Sequence, residues 1–440
     1  MFDVLIRNCD ILNVKDGKTW VDIVQDIGII GQRIVSIAPS TPDLPAAREV
    51  IFAAGMLAIP GLMNTHAHVP MVLFRGMVED VTVTSWFNDH IWPLESNLTS
   101  EDIYLGALLG MAEMIENGVT SVADHYFDMD EVAKAVEESG MRATLCWAVF
   151  VHGGVEKLER TCEFVESWQG KADGRITTYM GPHAPYTATP EFLRLSAEKA
   201  KELKTGIHIH VSETQAQVDL SMKQYGITPV QQLEETGVFE VPTILGHCRF
   251  PTEADLKLMG QRNTGVAHAP KTYMKLGETE VQLKQYHQAG VPVGLATDGA
   301  ASSNTLDILE QLRMMVLAQK TAANDPTYMT IPDALEIAFR GSARVLHQPD
   351  LGELTVGKLA DIALVRQDGV SSFPRFNPAA NLIYSTRSSD VDTVLCNGKI
   401  LLQGGRLLTI DKAEVKRQIS RRLERLSERV PGRRIATYPT

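Results

Sequence analysis

His66-Ala67-His68 sets two imidazoles two residues apart at the end of an apolar run, "PGLMNTHAHVPM". Residues i and i+2 of a strand face the same side, so both rings can offer nitrogen to one metal ion. A catalytic zinc needs about three protein ligands and one position left for water. More candidates close other apolar runs: Asp124-His125 in "VTSVADH", His183 in "RITTYMGPH", His210 in "TGIHIHVSE", His247 in "VPTILGH", His268 in "GVAHAP" and Asp298 in "VPVGLATD". The chain has 12 histidines, and scattered placement would not crowd them at run ends. His210 and Asp298 could complete a ligand set with His66 and His68. His208 faces the same way as His210, two residues further inside, and reads as a satisfied interior histidine. Glu213, three residues beyond His210, could take a proton from metal-bound water, whose pKa a bound zinc lowers to roughly 7. The plainer reading of Glu213 is an acidic residue at a helix N-terminus. His247 could polarise a substrate or hold the attacking oxygen, and Asp298 could help to move the proton.

The runs that carry these residues are strand-length and mostly separated by helical patterns such as "YLGALLGMAEMIENG" and "DEVAKAVEESGM". Eight strand candidates cover 56–66, 119–125, 142–150, 175–183, 205–213, 241–247, 265–270 and 291–298. Strands alternating with helices mean a parallel sheet. Eight such units predict an α/β fold, the (β/α)8 TIM barrel, whose chemistry sits at the C-terminal ends of the strands. A doubly wound sheet is the alternative, but no Gly-rich phosphate turn follows an early strand. The chain ends differ. Residues 1–55 and 352–410 hold short β-segments, expected to pair as one small β-sandwich domain beside a barrel over 56–351. Residues 411–440 read as a highly charged helix and tail, a surface or subunit-contact element.

Of the 440 residues, 44% are hydrophobic and 22% charged, the range of soluble globular chains. The balance of 42 basic against 54 acidic residues, −12, argues against a general affinity for nucleic acid phosphates. Five scattered cysteines without a CxxC motif point to reduced thiols. The N-terminus has no basic stretch followed by a long apolar run, and no run is long enough to cross a bilayer. A cytoplasmic location without membrane contact is expected.

The pieces "PGLMNTHAH", "GPHAPY", "HIHVSET", "GHC", "HAPKTYMKLG", "TDGAASSNTLDILEQLR" and "GELTVGKLADIALV" span nearly the whole chain. Together they resemble the amidohydrolase superfamily, in its branch of cytosine-, guanine-, adenosine- and triazine-type deaminases and chlorohydrolases. The resemblance implies a mononuclear site with His66, His68, His210 and Asp298 as metal ligands. It implies Glu213 as the proton-shuttling carboxylate, His247 as the histidine that orients the attacking water, and Asp298 as a second base. His183 matches a substrate-contacting histidine, and His268 a supporting residue behind the ligands. Binuclear relatives use a carboxylated lysine at the end of strand 4, and "TTYMGPH" has none. One Zn2+ per subunit is therefore expected, with Fe2+ as the ion some relatives use.

The segment "LFRGMVEDVTVTSWFNDHIWPLE" (73–95) is similar to the loop after strand 1 in deaminases of adenosine, methylthioadenosine and S-adenosylhomocysteine. There a tryptophan packs on the ligand and a glutamate binds ribose hydroxyls, places taken here by Trp86 and Glu95. Two positions depart from that pattern and are further candidate substrate contacts. Trp147 stands after strand 3, where an arginine is common, and Lys271 in "APKTY" replaces part of an Asn-Pro-x-Ser-Asn motif. The expected activity is zinc-dependent hydrolytic deamination of an aminated N-heterocycle, adenosine-type first. The rivals are deamination or dechlorination of guanine, 8-oxoguanine, a pterin or an s-triazine, and a non-catalytic metal-binding barrel. The expected partners are a small aromatic heterocycle and water, with no nucleic acid, in a homo-oligomer.

Overall fold

A computed structural model describes residues 1–151 and 154–429, together with Ile435 and Tyr438. Eight successive parallel strands form its centre: Leu62–His68, Val119–Tyr126, Arg142–Val149, Ile176–Pro182, Gly206–Val211, Thr243–His247, Thr264–His268 and Val293–Leu295. Each pairs with the next. The eighth strand breaks at Ala296-Thr297 and resumes at Asp298–Gly299, which pairs with Ala67 and His68 of the first. Side chains seal this seam. Thr65 Oγ1 donates to Leu295 O at 2.9 Å, and the Asn64 amide exchanges two bonds with Thr297, at 2.7 and 3.0 Å. The closed sheet is the expected (β/α)8 barrel.

The strands are buried on both faces, as a barrel walled by helices requires. Met63, Ala123, Cys146, Tyr179, Ile244 and Ala267, from six strands, share one interior cluster. Outward side chains join a larger cluster under the helices. Helix starts are written locally. Thr99 and Asp102 make a capping box that opens Ser100–Glu116, and Thr228 and Gln231 do the same for Pro229–Glu235.

Both chain ends share one nine-stranded mixed sheet. In it Phe2–Lys15 pairs with Lys18–Ile30, and Ile362–Arg366 pairs with Val391–Cys396. Ile6, Ile27, Ile29, Ile34, Ile51, Ile362, Leu364 and Leu395 meet in a single buried cluster, so the two ends make one β domain. Its border with the barrel lies later than the expected residue 56. Met56–Pro60 pairs antiparallel with Ile362–Arg366 and parallel with Asp10–Ile11, and the barrel begins after Gly61. Hydropathy cannot mark that border, because both strands are apolar and Gly61 alone separates them. The charged stretch from 411 forms two short helices, Lys412–Ser420 and Leu423–Leu426, with Val415, Ile419 and Leu426 buried. Arg425 binds Asp102 at 2.6 Å, anchoring the stretch to the helix after the first barrel strand.

A buried ion pair ties the β domain to the barrel. Arg142, on the third barrel strand, meets Asp361 through two bonds of 3.1 Å, and Asn397 accepts from the same guanidinium at 2.9 Å. Removing one partner strands the other charge, at a cost of roughly 3–5 kcal/mol. Asp361→Ala is expected to lower stability by about that amount in urea denaturation. A variant as stable as the parent would show that the pair does not join the domains.

Candidate active site

The barrel's C-terminal rim gathers histidines from five strands. His66 and His68 share a face of the first strand, and His208 and His210 share the inner face of the fifth. Each outer nitrogen is tied to a fixed acceptor. His68 Nδ1 lies 2.6 Å from His125 O, His210 Nδ1 lies 2.9 Å from His183 O, and His66 Nδ1 lies 2.8 Å from His208 Nε2. The two carbonyls can only accept, which assigns the proton to Nδ1 of His68 and His210; with the same tautomer on His66, donating to His208, its Nε2 is also unprotonated. The three Nε2 atoms are left to converge.

Their spacing is that of one coordination sphere. His68 Nε2 and His210 Nε2 are 3.4 Å apart. Asp298 Oδ1 lies 3.2 Å from His68 Nε2 and 3.7 Å from His66 Nε2. Ligands about 2.0–2.1 Å from a tetrahedral ion stand roughly 3.3–3.4 Å from one another. His66 Nε2 is fully buried and has no hydrogen-bond partner, an orphan that a cation would satisfy. Gly246 makes room for these rings: a Cβ there would lie 3.2 Å from His66 Cε1 and 3.4 Å from His210 Cδ2. These donor atoms fall in overlapping groups, each within 4.8 Å, that could hold a divalent cation: His66, His68 and Asp298 in one, and His210 with His66 and His247 or with His68 and His125 in the others.

The electrostatics differ among the rings. Burial, then the neighbouring imidazoles, hold His66 and His210 well below the usual histidine range, so both rings are neutral, as ligands must be. Burial opposes charge on His68 and Asp298 alike, but their mutual attraction outweighs it. It holds His68 up at about 9 and Asp298 down at about 2. The Ser302 hydroxyl donates to Asp298 Oδ2 at 2.7 Å and leaves Oδ1 facing the site.

Two further groups complete the rim. Glu213 follows the fifth strand, with Oε1 3.9 Å from His247 Nε2. Burial, then Asp298, raise its carboxyl above the ordinary range, against the lowering effects of His247, Gln217 and Arg249. Gln217 holds it at both ends, accepting from Glu213 N at 2.9 Å and donating to Oε2 at 3.3 Å. His247 breaks the strand's alternation. Gly246 already faces inward, and a left-handed backbone at His247 (φ 68°) turns its ring inward as well. Tyr273 OH, 3.3 Å from Nδ1, holds that ring. Asp298 (φ 61°) and Ser212 (φ 46°) are left-handed too, a strained backbone of the kind that collects at functional sites.

Above the ligands lies a cleft of about 560 Å³, mouth included, lined by both aromatic and acidic groups. Trp86 and Glu95 line it, brought there by the segment after the first strand, which winds as a π-helix over Trp86–Ile91. Burial pushes the Glu95 carboxyl up to about 7, against the Tyr126 hydroxyl and His68. His183 lines it as well, flat against Phe150 at 4.3 Å between ring centroids.

Two expected substrate contacts lie elsewhere. Trp147 turns outward, under the Arg160 guanidinium and against Phe164, because Cys146 and Ala148 take the inward positions of its strand. Lys271 donates to Glu310 at 2.7 Å and Thr305 at 3.0 Å, away from the cleft. His268 touches no ligand. Ala267 faces the interior, so His268 faces the other way, 3.1 Å from Glu280 and against Tyr273. His208 supports His66, as an interior histidine should, although its Nδ1 has no partner. The sequence also placed His125 at a strand end but gave it no role. Here it is buried, lines the cleft and has both ring nitrogens unpaired. Its parity with inward Ala123 was the available signal. Nothing in the sequence pointed to Phe150.

Nitrogen and carboxylate donors gathered at this end of a parallel barrel, with a carboxylate poised beside them, define a metal-dependent hydrolase. The chain belongs to the amidohydrolase family, whose model matches residues 57–401. It is 43% identical to a 5-methylthioadenosine/S-adenosylhomocysteine deaminase of Desulforudis audaxviator, over 97% of this chain and all of that one. Its identity to the protein of the same name in Pelotomaculum thermopropionicum is 39%, over 98% and 100%. Among solved structures it is similar to an adenosine deaminase of Xanthomonas campestris with bound zinc (TM-score 0.92, 28% identity, 97% of this chain and 98% of that one). It is also similar to an atrazine chlorohydrolase of Arthrobacter aurescens complexed with zinc (TM-score 0.87, 26% identity, 96% and 100%).

The His208 contact makes a prediction. Groups that orient a ligand from behind are worth about 10–100-fold in metal affinity. His208→Ala is expected to weaken zinc binding by about that factor in a chelator competition, with the chain still folded. Unchanged affinity would remove His208 from the support of His66.

Proposed function

We propose that the chain hydrolyses the exocyclic amino group of an adenosine-type ring and releases ammonia, with one zinc ion per chain on His66, His68, His210 and Asp298. The observation that carries this reading is the Glu213 carboxylate beside His247, above the point where four ligand atoms converge. The bound ion supplies Lewis acidity, which makes a water molecule nucleophilic at neutral pH. Glu213 takes the proton from that water and delivers it to the ring nitrogen next to the attacked carbon. His247 and Asp298 orient the attacking oxygen, and Asp298 passes its remaining proton to the departing amine. The water thus provides the oxygen that stays on the ring and the protons that leave as ammonia or rest on the ring. Groups aimed in advance at developing charge supply a few kcal/mol each.

The aromatic wall supports a flat heterocycle, and Glu95 supports a nucleoside over a free base. A carboxylate lining the cleft can accept from two vicinal hydroxyls. The relatives named as methylthioadenosine and S-adenosylhomocysteine deaminases support the same substrate class. The likeness to the atrazine chlorohydrolase supports a second reading, hydrolysis of a substituted triazine. The five cysteines are all free, four of them buried, which supports a reducing, cytoplasmic setting. No described helix is long and apolar enough to cross a membrane. The exposed Trp20, Ile23, Val24 and Val35 support association of copies through the β domain.

Four measurements test the reading. Ammonia release is expected from adenosine and its 5′-thioethers, while release of chloride or alkylamine from triazines alone would replace it with the second reading. Glu213→Gln is expected to keep its zinc and lose at least about a thousandfold in kcat, whereas retained turnover would remove Glu213 from the mechanism. Because Glu213 must be ionised to accept a proton and its pKa is raised, the acid limb of kcat/KM should fall above the ordinary glutamate value. Glu95→Gln is expected to raise KM for nucleosides about tenfold or more with little change for the free bases, and an equal rise for both would deny it the ribose.

A further inference from the structure

Tyr438 lies far along the chain from every residue of the site, yet it is 3% exposed and packed at the cleft mouth. Its ring stacks on Phe87 at 4.5 Å and 8° and meets the Tyr186 ring edge-on at 5.5 Å, and both of those rings line the cleft. Its backbone is gripped by one side chain. Tyr438 N donates to Asn88 Oδ1 at 2.8 Å, and Asn88 Nδ2 donates to Tyr438 O at 3.2 Å. Its hydroxyl accepts from Gln217 Nε2 at 3.3 Å. The same Gln217 amide holds Glu213 by both its backbone nitrogen and its carboxylate.

We propose that Tyr438 is a positioning residue for catalysis: it locks the Gln217 amide and through it the Glu213 carboxylate, while its ring fastens the segment after the first strand to the rim formed after the fourth and fifth. This rests on the role of Glu213 proposed above. A primary amide has two N–H groups and one carbonyl oxygen. Gln217 spends the oxygen on Glu213 N and shares its N–H groups between Glu213 Oε2 and Tyr438 OH, so its plane has no freedom to rotate. Loss of the phenol oxygen frees one N–H group and lets the amide turn away from the carboxylate that must face the water. Phe87 has a parallel dependence. It belongs to the segment that carries Trp86 and Glu95, and the Tyr438 ring covers its face.

The hydroxyl and the ring are separable. Tyr438→Phe keeps the stack and is expected to lower kcat about tenfold, the scale of a small misplacement of a catalytic group, with KM and zinc content unchanged. In a Gln217→Ala background the same change is expected to have no further effect, because the relay is already cut. Tyr438→Ala removes the stack too and is expected to raise KM as well. It should also speed hydrogen exchange in residues 86–91 and 215–225 of the full chain. Unchanged kcat in Tyr438→Phe, or an equal loss with and without Gln217, would overturn the relay. Unchanged exchange in Tyr438→Ala would overturn the docking. If the parent chain turns over no aminated ring, the proposed function fails and the relay with it, while the exchange measurement still decides whether Tyr438 holds the rim.

Discussion

Everything in this site depends on where the Nδ1 protons of three histidines go. His68 and His210 donate theirs to the carbonyl oxygens of His125 and His183, and His66 Nδ1 shares a hydrogen bond with His208 Nε2. The opposite nitrogens then face the site, His68 Nε2 and His210 Nε2 at 3.4 Å, a spacing that a shared cation would satisfy. Two of the acceptors are backbone carbonyls at the ends of neighbouring strands. The barrel's hydrogen-bond register therefore sets the geometry of these rings directly, and the candidate metal site is as rigid as the sheet.

A second consequence is the separation of the two carboxylates. Asp298 and Glu213 share one buried site, and burial alone would raise both. His68 and Ser302 bind Asp298 and hold it at about 2, whereas Glu213 has weaker partners and stays above the ordinary range. One acid is thus an anion at rest, suited to a cation, and the other holds a proton more readily than an ordinary glutamate. Environments that push like groups apart assign the acid and base roles. Gln217, Arg249 and Tyr438 belong to this arrangement because they set how far Glu213 departs and which way its oxygens face.

The β domain contributes no group to the cleft, yet the barrel is not independent of it. Met56–Pro60 belongs to its sheet, and Leu62–His68, one residue later, carries His66 and His68. Any shift of the β domain is passed to His66 through a single glycine. The Arg142–Asp361 pair, buried between the two bodies, opposes such a shift at the far end of the third strand. The first and third strands of the barrel are therefore braced from outside as well as by their own pairing.

The amino-acid sequence by itself determined the barrel and the rank of histidines at strand ends, with His66, His68, His210 and Asp298 among the residues at those ends. These follow from local rules: alternation along a strand, burial of apolar runs, and the position of polar residues where those runs stop. The same rules, applied without a known register, left the facing of single residues open. Only the tertiary structure decided that Trp147 and His268 point outward and that His247, against its parity, turns inward through a left-handed backbone. It alone paired Lys271 with Glu310, far along the chain, and laid Phe150 against His183. It alone brought Tyr438 to Gln217, more than two hundred residues away. A strand's period is written in its own residues, whereas a contact between distant segments depends on how whole elements pack, and no local pattern encodes that.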